Sequence, residues 1–404
     1  MRKIGIALAV AGLTIASPAA ADLVADWNEL LTSVDKAAAP AEYVFTPETR
    51  QAGSKTTLAM FEAANMVDRR YASYLGLPVA AHGASIEAAV STAAHDALLA
   101  CYPSQAQTIE DAYTLAMARI PQGAGREEGI RAGQAAAKAA MAAGGIDPAL
   151  SQAVYRPTAL AGKWAPSSLP YDPREMQVRP WIMTSASQLR IAPPPPLSSA
   201  TFAKSFEEVR TRGAKDSKTR SAADTLAAKF WAFYQLDPPM RQIADQPGRS
   251  IVQNARMYAL TGLASDDIGL MMADGKLHHA FWRPMNAIRQ ADIDGNDATT
   301  ADPLWEPLVR TPNQPEYPCG HCTVAAVFAT ILAAEGKPPP GGLHFTSERM
   351  PGVFMTVPDW PAFAKAVDQS RIDAGVHFRF TAEASDPMGV KLGEMAMARL
   401  AKVK

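Results

Sequence analysis

The sequence predicts an all-α protein, a helical bundle, and three observations carry that expectation. Residues 57–67, 85–100 and 125–144 place small apolar residues at three- and four-residue intervals, with few β-branched runs and no internal proline. The most apolar stretch, 322–334, is alanine-rich and follows directly on a proline-marked turn, so it reads as a buried core helix. Alanine and glycine at this density let helices approach closely, which favours a bundle.

The first 21 residues carry Arg2 and Lys3, an apolar run from Ile4 to Ile15, and then Ser17-Pro-Ala-Ala-Ala21. That order of charge, apolar core and small residues is a secretory signal peptide, so the mature chain is expected to be periplasmic or secreted. Residues 22–404 are read as a single α-helical domain. No later stretch is long and apolar enough for a membrane span. Net charge is −1 over 404 residues, aromatic residues make up 7%, and no basic run is interleaved with aromatics, which leaves nucleic acid without support as a partner.

Residues 22–146 read as the N-terminal helices. His95 lies on one of them and reads as a packing or surface histidine. From 147 to 199 prolines accumulate, ending in the run Pro193–Pro196, and regular helix is excluded. An excursion wrapping the bundle is favoured over an interdomain linker, because the helices on either side share one composition. Helices resume at 200–404, with 219–234 amphipathic and aromatic, followed by 254–262 and 266–282. The loop Asp292-Ile-Asp-Gly-Asn-Asp297 fails the EF-hand pattern and reads as a solvated turn.

Chemistry concentrates in three places. Lys276-Leu-His-His-Ala-Phe-Trp-Arg283-Pro284 comes first, and its two cations are about two helical turns apart, so both can face one side. Pro318-Cys319-Gly320-His321 opens the apolar helix, where unpaired N–H groups and the positive end of the helix dipole sit. Ser370-Arg371-Ile-Asp-Ala-Gly-Val-His377 comes last. Three cations, two histidines and a helix N-terminus fit one tetrahedral oxyanion, with arginine adding planar bidentate geometry.

These motifs resemble the superfamily of type-2 phosphatidic acid phosphatases and vanadium haloperoxidases, whose pattern is K-x6-R-P, P-S-G-H, S-R-x5-H-x3-D. Phe281-Trp-Arg-Pro-Met-Asn-Ala-Ile-Arg289 and Gly375-Val-His-Phe-Arg-Phe380 look most like the soluble bacterial haloperoxidase branch. The resemblance implies that Lys276, Arg283, Cys319, Gly320 and Arg371 bind an oxyanion. His321 and His377 would be catalytic, and His377 would ligate the vanadium of a vanadate cofactor. It implies peroxide-driven halide oxidation. The alternatives are an acid phosphatase acting on phosphomonoesters through a phosphohistidine without a cofactor, and an oxyanion binder with impaired catalysis.

Two departures motivate that last alternative. Cys319 stands where the family has serine, and a thiol donates weakly to an anion. Thr381 stands where the family aspartate is expected, leaving His377 without its orienting carboxylate. Cys319-Gly-His-Cys322 is also a C-x-x-C pair. Its prolines and helical neighbours argue against an isomerase, but cysteines at i and i+3 can meet, so a disulfide gating the site is a further expectation. Cys101 is then the odd thiol, expected to be buried.

Overall fold

Small-residue stripes become helix contacts. The computed structural model describes residues 22–38, 51–147, 156–158, 160–166 and 177–403; the expected signal segment, 1–21, lies outside them. The first half holds α1 (Leu23–Ala38), α2 (Ala52–Val67), α3 (Ile86–Cys101), α4 (Ala106–Ala118) and α5 (Ala124–Ala142). Ser85 starts α3 by accepting the Ala88 N–H. Where α5 crosses α3, a Cβ on Gly133 would stand 2.5 Å from the Ala89 carbonyl oxygen, so only glycine permits that approach.

The second half holds α6 (Ala200–Arg212), α7 (Ala222–Phe230), α8 (Asp237–Ala244), α9 (Ile251–His279), α10 (Pro284–Arg289), α11 (Gly320–Glu335), α12 (Trp360–Asp373) and α13 (Arg379–Arg399). Strands β1 (Tyr234–Gln235), β2 (Leu343–Ser347) and β3 (Phe354–Val357) form a small antiparallel sheet in that order. The protein is therefore mostly helical, as the sequence predicts, with a sheet that the helical periodicity does not announce. Residues 219–234, read as one helix, give instead α7 and the start of β1, because Ser221 caps late with a capping box and the chain turns after Phe230.

Helix α9 is the central strut. It runs unbroken for 29 residues where the sequence suggests two pieces, and starts with a capping box between Ser250 and Gln253. Its buried Asp267 accepts the backbone N–H groups of Trp181, Ile182 and Met183 at 2.7–2.9 Å, and Asp266 accepts the Trp181 indole N–H at 2.7 Å. Two helix carboxylates thus fasten residues 181–183 of the proline-rich stretch to the bundle. Burial pushes the Asp267 carboxyl up to about 6, against those three N–H bonds.

Helix α11 packs on α13, and Gly389 and Gly393 allow that contact; a Cβ on Gly389 would lie 2.7 Å from the Thr323 carbonyl oxygen. Asp386 of α13 lies beside Asp368 of α12, close enough for the two carboxyls to interact. Burial first, and then the neighbouring Asp386 charge, pushes Asp368 from 3.8 up to about 8. A carboxyl with a folded pKa above its unfolded one favours the folded state most at acid pH, and that contribution is lost as pH rises through the folded value. Asp368→Asn is accordingly expected to raise stability at pH 8 by on the order of 1 kcal/mol. It should also flatten the fall in melting temperature between acid and mildly alkaline pH; an unchanged slope would show that the pair does not share a proton.

Cys101, expected to be buried, is partly exposed, with its sulfur 3.9 Å from that of Met141. His95 stacks on Tyr113 with ring centroids 4.2 Å apart and pairs with Asp96 and Glu110, a packing role.

Candidate functional site

The end of α9, the start of α11 and the end of α12 meet around one buried cluster of charge. Lys276 and Arg283 reach it differently from the sequence reading, which places both on one helix. Helix α9 ends at His279, Ala280 turns at φ 47°, and Arg283 is the N-cap of α10 with Pro284 in its first turn. The physical reason is Pro284: its ring bars Arg283 from the helical region, and proline starts helices better than it continues them.

Lys276 is buried, and its Nζ donates to the carbonyl oxygens of Pro315 at 2.8 Å, Pro318 at 2.7 Å and Glu316 at 3.4 Å. Its protons therefore hold the turn before α11, where the Tyr317–Pro318 peptide is cis, and its charge is what it offers the cluster. Arg283 is fixed as firmly: Nε donates to the Gln314 carbonyl at 2.8 Å and Nη1 to that of Val376 at 2.9 Å, while Nη1 also stands 3.0 Å from His377 Nε2.

Gly375 brings His377 back toward Arg371. After α12 ends, Gly375 takes φ 76°, and a Cβ there would come within 2.5 Å of the Gly213 carbonyl oxygen. The Val376 and His377 N–H groups then both donate to the Arg371 carbonyl.

The carboxylate missing at position 381 is supplied from elsewhere. Glu316 Oε1 lies 2.8 Å from His377 Nδ1 and accepts the Phe378 N–H at 3.1 Å, while Oε2 accepts the Thr381 hydroxyl at 2.8 Å. Thr381 holds the carboxylate that holds the histidine. This corrects the expectation that His377 lacks an orienting charge. Sequence reasoning passed over Glu316; the available signal was an acid two residues before Pro318 together with a hydroxyl at 381 able to bind it. With Nε2 toward an arginine donor and Nδ1 on a carboxylate, the network assigns the proton to Nδ1.

Arg371 completes the cluster and differs from the other cations. It is buried, yet its Nε and Nη1 have no hydrogen-bond partner among the described residues. Burial pushes its guanidinium down to about 10 and that of Arg283 to about 9, and holds the Lys276 ammonium well below its ordinary range. Against these three cations stands one carboxylate, Glu316, which burial pushes up to about 7. His321 lies at the first turn of α11 with Nε2 3.3 Å from the Ala232 carbonyl oxygen. Burial, then the charge of Arg371, pushes its imidazole down to about 3, and burial followed by Arg283 holds His377 well below its ordinary value. Both rings are neutral at pH 7. The charge of Arg371 also disfavours the protonated forms of Lys276, Arg283, His321 and His377.

Gly320 and Cys319 form the floor. Gly320 is the first residue of α11, and a Cβ there would touch only Met272 at 3.9 Å, so the helix end is open. Cys319 is the N-cap. Its N–H donates to Ser385 Oγ at 2.9 Å, its sulfur accepts the Cys322 N–H at 3.2 Å, and it forms a disulfide with Cys322. Behind this floor Phe202, Phe281, Phe378 and Phe380 pack edge-on or stacked and exclude water. A separate open cavity of about 800 Å³, lined among others by Trp27, Leu115 and Ile120, contains none of these residues.

A buried site with excess positive charge and two unpaired guanidinium nitrogens fits an oxyanion: leaving such donors bare costs ~1–3 kcal/mol each, which an anion offsets. Known proteins share this fold. Residues 256–403 match the family described as the VCPO second helical-bundle domain. A bacterial vanadium-dependent iodoperoxidase structure is similar over 95% of this chain and 96% of its own, at 18% identity and TM-score 0.72. A holo-type bacterial vanadium-dependent chloroperoxidase is similar over 89% and 94%, at 18% identity and TM-score 0.64. An apo-type bacterial chloroperoxidase is similar over 91% and 97%, at 16% identity and TM-score 0.67. No curated protein matches the chain. No described helix is long and apolar enough to cross a membrane.

Proposed function

We propose that this chain belongs to the vanadium haloperoxidase and phosphatase superfamily and is a secreted oxyanion-site enzyme that binds vanadate and oxidises halide with peroxide. The observation that carries the reading is the bare, buried guanidinium of Arg371 beside two more buried cations and a histidine held by a carboxylate.

Arg371 would bind the oxyanion through Nε and Nη1, with Lys276 and Arg283 lending charge and the N–H groups at the start of α11 closing the other side. His377 would hold vanadium through Nε2, in place of its contact with Arg283 Nη1, since Nδ1 is held by the Glu316 carboxylate. Glu316 keeps that tautomer and makes the ring a better donor. Burial and the charge of Arg371 keep His321 neutral; an anion would offset that charge and so let the ring take the proton that acid–base work needs. Bound vanadate would supply a Lewis-acidic centre for activating peroxide toward halide. The disulfide and the N-terminal segment 1–21 support an oxidising compartment.

The test compares two assays on the disulfide-intact protein. Vanadate-loaded protein with peroxide and bromide or iodide is expected to halogenate a phenolic dye, whereas the vanadate-free protein is expected to leave a phosphomonoester intact. Phosphomonoester turnover without halogenation would replace this reading with the phosphatase, and silence in both would leave an oxyanion binder.

A further inference from the structure

The Cys319–Cys322 disulfide lies at the mouth of the helix that faces the anion, and nothing in the proposed reaction uses it. Both residues are fully buried. Cys319 is the N-cap of α11, and an N-cap side chain reaches over the first turn, the place where a helix end binds an anion. In the oxidised state its sulfur has no proton to give. It is joined to Cys322 and accepts the Cys322 N–H, so one of the first-turn donors is turned onto sulfur as well. The Cys319 N–H is engaged by Ser385, which in turn donates to the Thr381 carbonyl at 2.7 Å, so the backbone at the cap is pinned whatever the sulfur does. The floor is thus left with the Gly320 and His321 N–H groups, which by position have no acceptor within the helix.

Resting on the oxyanion-site reading above, we propose that the Cys319–Cys322 pair is a redox switch of anion affinity, weak-binding when oxidised and tighter when reduced. Reduction by a dithiol proceeds by thiolate attack on one sulfur, a mixed disulfide, and its displacement by the second thiol. The reductant loses two electrons and becomes a cyclic disulfide, and the protein gains two thiols. The Cys319 S–H is then free to donate into the site, while its sulfur can keep the Cys322 N–H as an N-cap side chain does. Reoxidation needs only peroxide: the two thiols give two electrons and two protons, the O–O bond breaks, and one peroxide becomes two waters. Peroxide, the oxidant of the proposed reaction, would close the switch.

Isothermal titration of inorganic phosphate into the full chain tests this, because phosphate, unlike vanadate, is inert to thiols. Reduced wild type, verified by a gain of two thiols on denaturation, is expected to bind about threefold tighter than oxidised wild type, the share of a hydrogen bond that a weak donor supplies. Cys322→Ala, which cannot close the bond, should bind like reduced wild type with or without dithiothreitol. Cys319→Ser should bind about fivefold tighter than oxidised wild type and ignore the reductant. If Cys322→Ala and reduced wild type bind phosphate no better than oxidised wild type, the switch is overturned. Arg371→Ala separates the two levels: phosphate binding that it abolishes, with no redox effect, ends the switch alone, whereas binding that survives it, or no binding to any form, ends the site reading and the switch with it.

Discussion

Glu316→Gln is expected to lower the proposed halide oxidation by on the order of 10²–10⁴-fold while phosphate and vanadate binding persist. Glutamine keeps a carbonyl oxygen for His377 Nδ1 and the Phe378 N–H, so the ring stays near its place, but the negative charge that fixes its basicity is gone. The same change leaves Lys276, Arg283 and Arg371 buried without a counter-charge, and removing one member of a buried ion cluster typically costs about 3–5 kcal/mol. Melting curves should therefore drop sharply for the variant and recover on adding phosphate more than the wild type does. A purely structural glutamate would lower stability without separating turnover from binding. Equal loss of anion affinity and turnover, or no loss of either, would remove Glu316 from the site.

Arg371→Lys is expected to show the opposite split. The guanidinium makes no side-chain hydrogen bond at Nε or Nη1 among the described residues, so its replacement should leave the melting temperature nearly unchanged. An ammonium retains the charge but is a single point on a flexible stem, and it cannot match the planar fork. Losing one charge-assisted hydrogen bond is worth about 1.5–3 kcal/mol, so phosphate and vanadate affinity should fall about 10- to 100-fold. Titration calorimetry reads this directly, and unchanged affinity would make Arg371 a structural cation.

The helical class and the three motif stretches were legible because their signals are local: three-and-four periodicity, a proline-marked turn before an apolar run, and cations at fixed spacing. Three features were not legible. The break after His279 depends on Ala280 adopting a left-handed turn, and alanine carries no signal for that. The sheet depends on Tyr234 and Gln235 pairing with residues more than a hundred positions later, Ser347 and Thr346. The orienting carboxylate is the plainest case. A motif reads residues at fixed distances along one segment, whereas Glu316 and Thr381 compensate for each other across 65 positions and two helices. The apparent defect at Thr381 is visible in the sequence, but its remedy is visible only in space. Cys319 is intermediate, since the i, i+3 spacing allows the bond to Cys322 but does not require it.

These buried cations are expected to form one oxyanion site. Anomalous diffraction from crystals soaked in vanadate tests it most directly. A single vanadium peak is expected, bounded by His377 Nε2, the Arg371 guanidinium and the Gly320 N–H. A protein that binds vanadate in solution yet shows its vanadium elsewhere, or shows none beside His377, would contradict it.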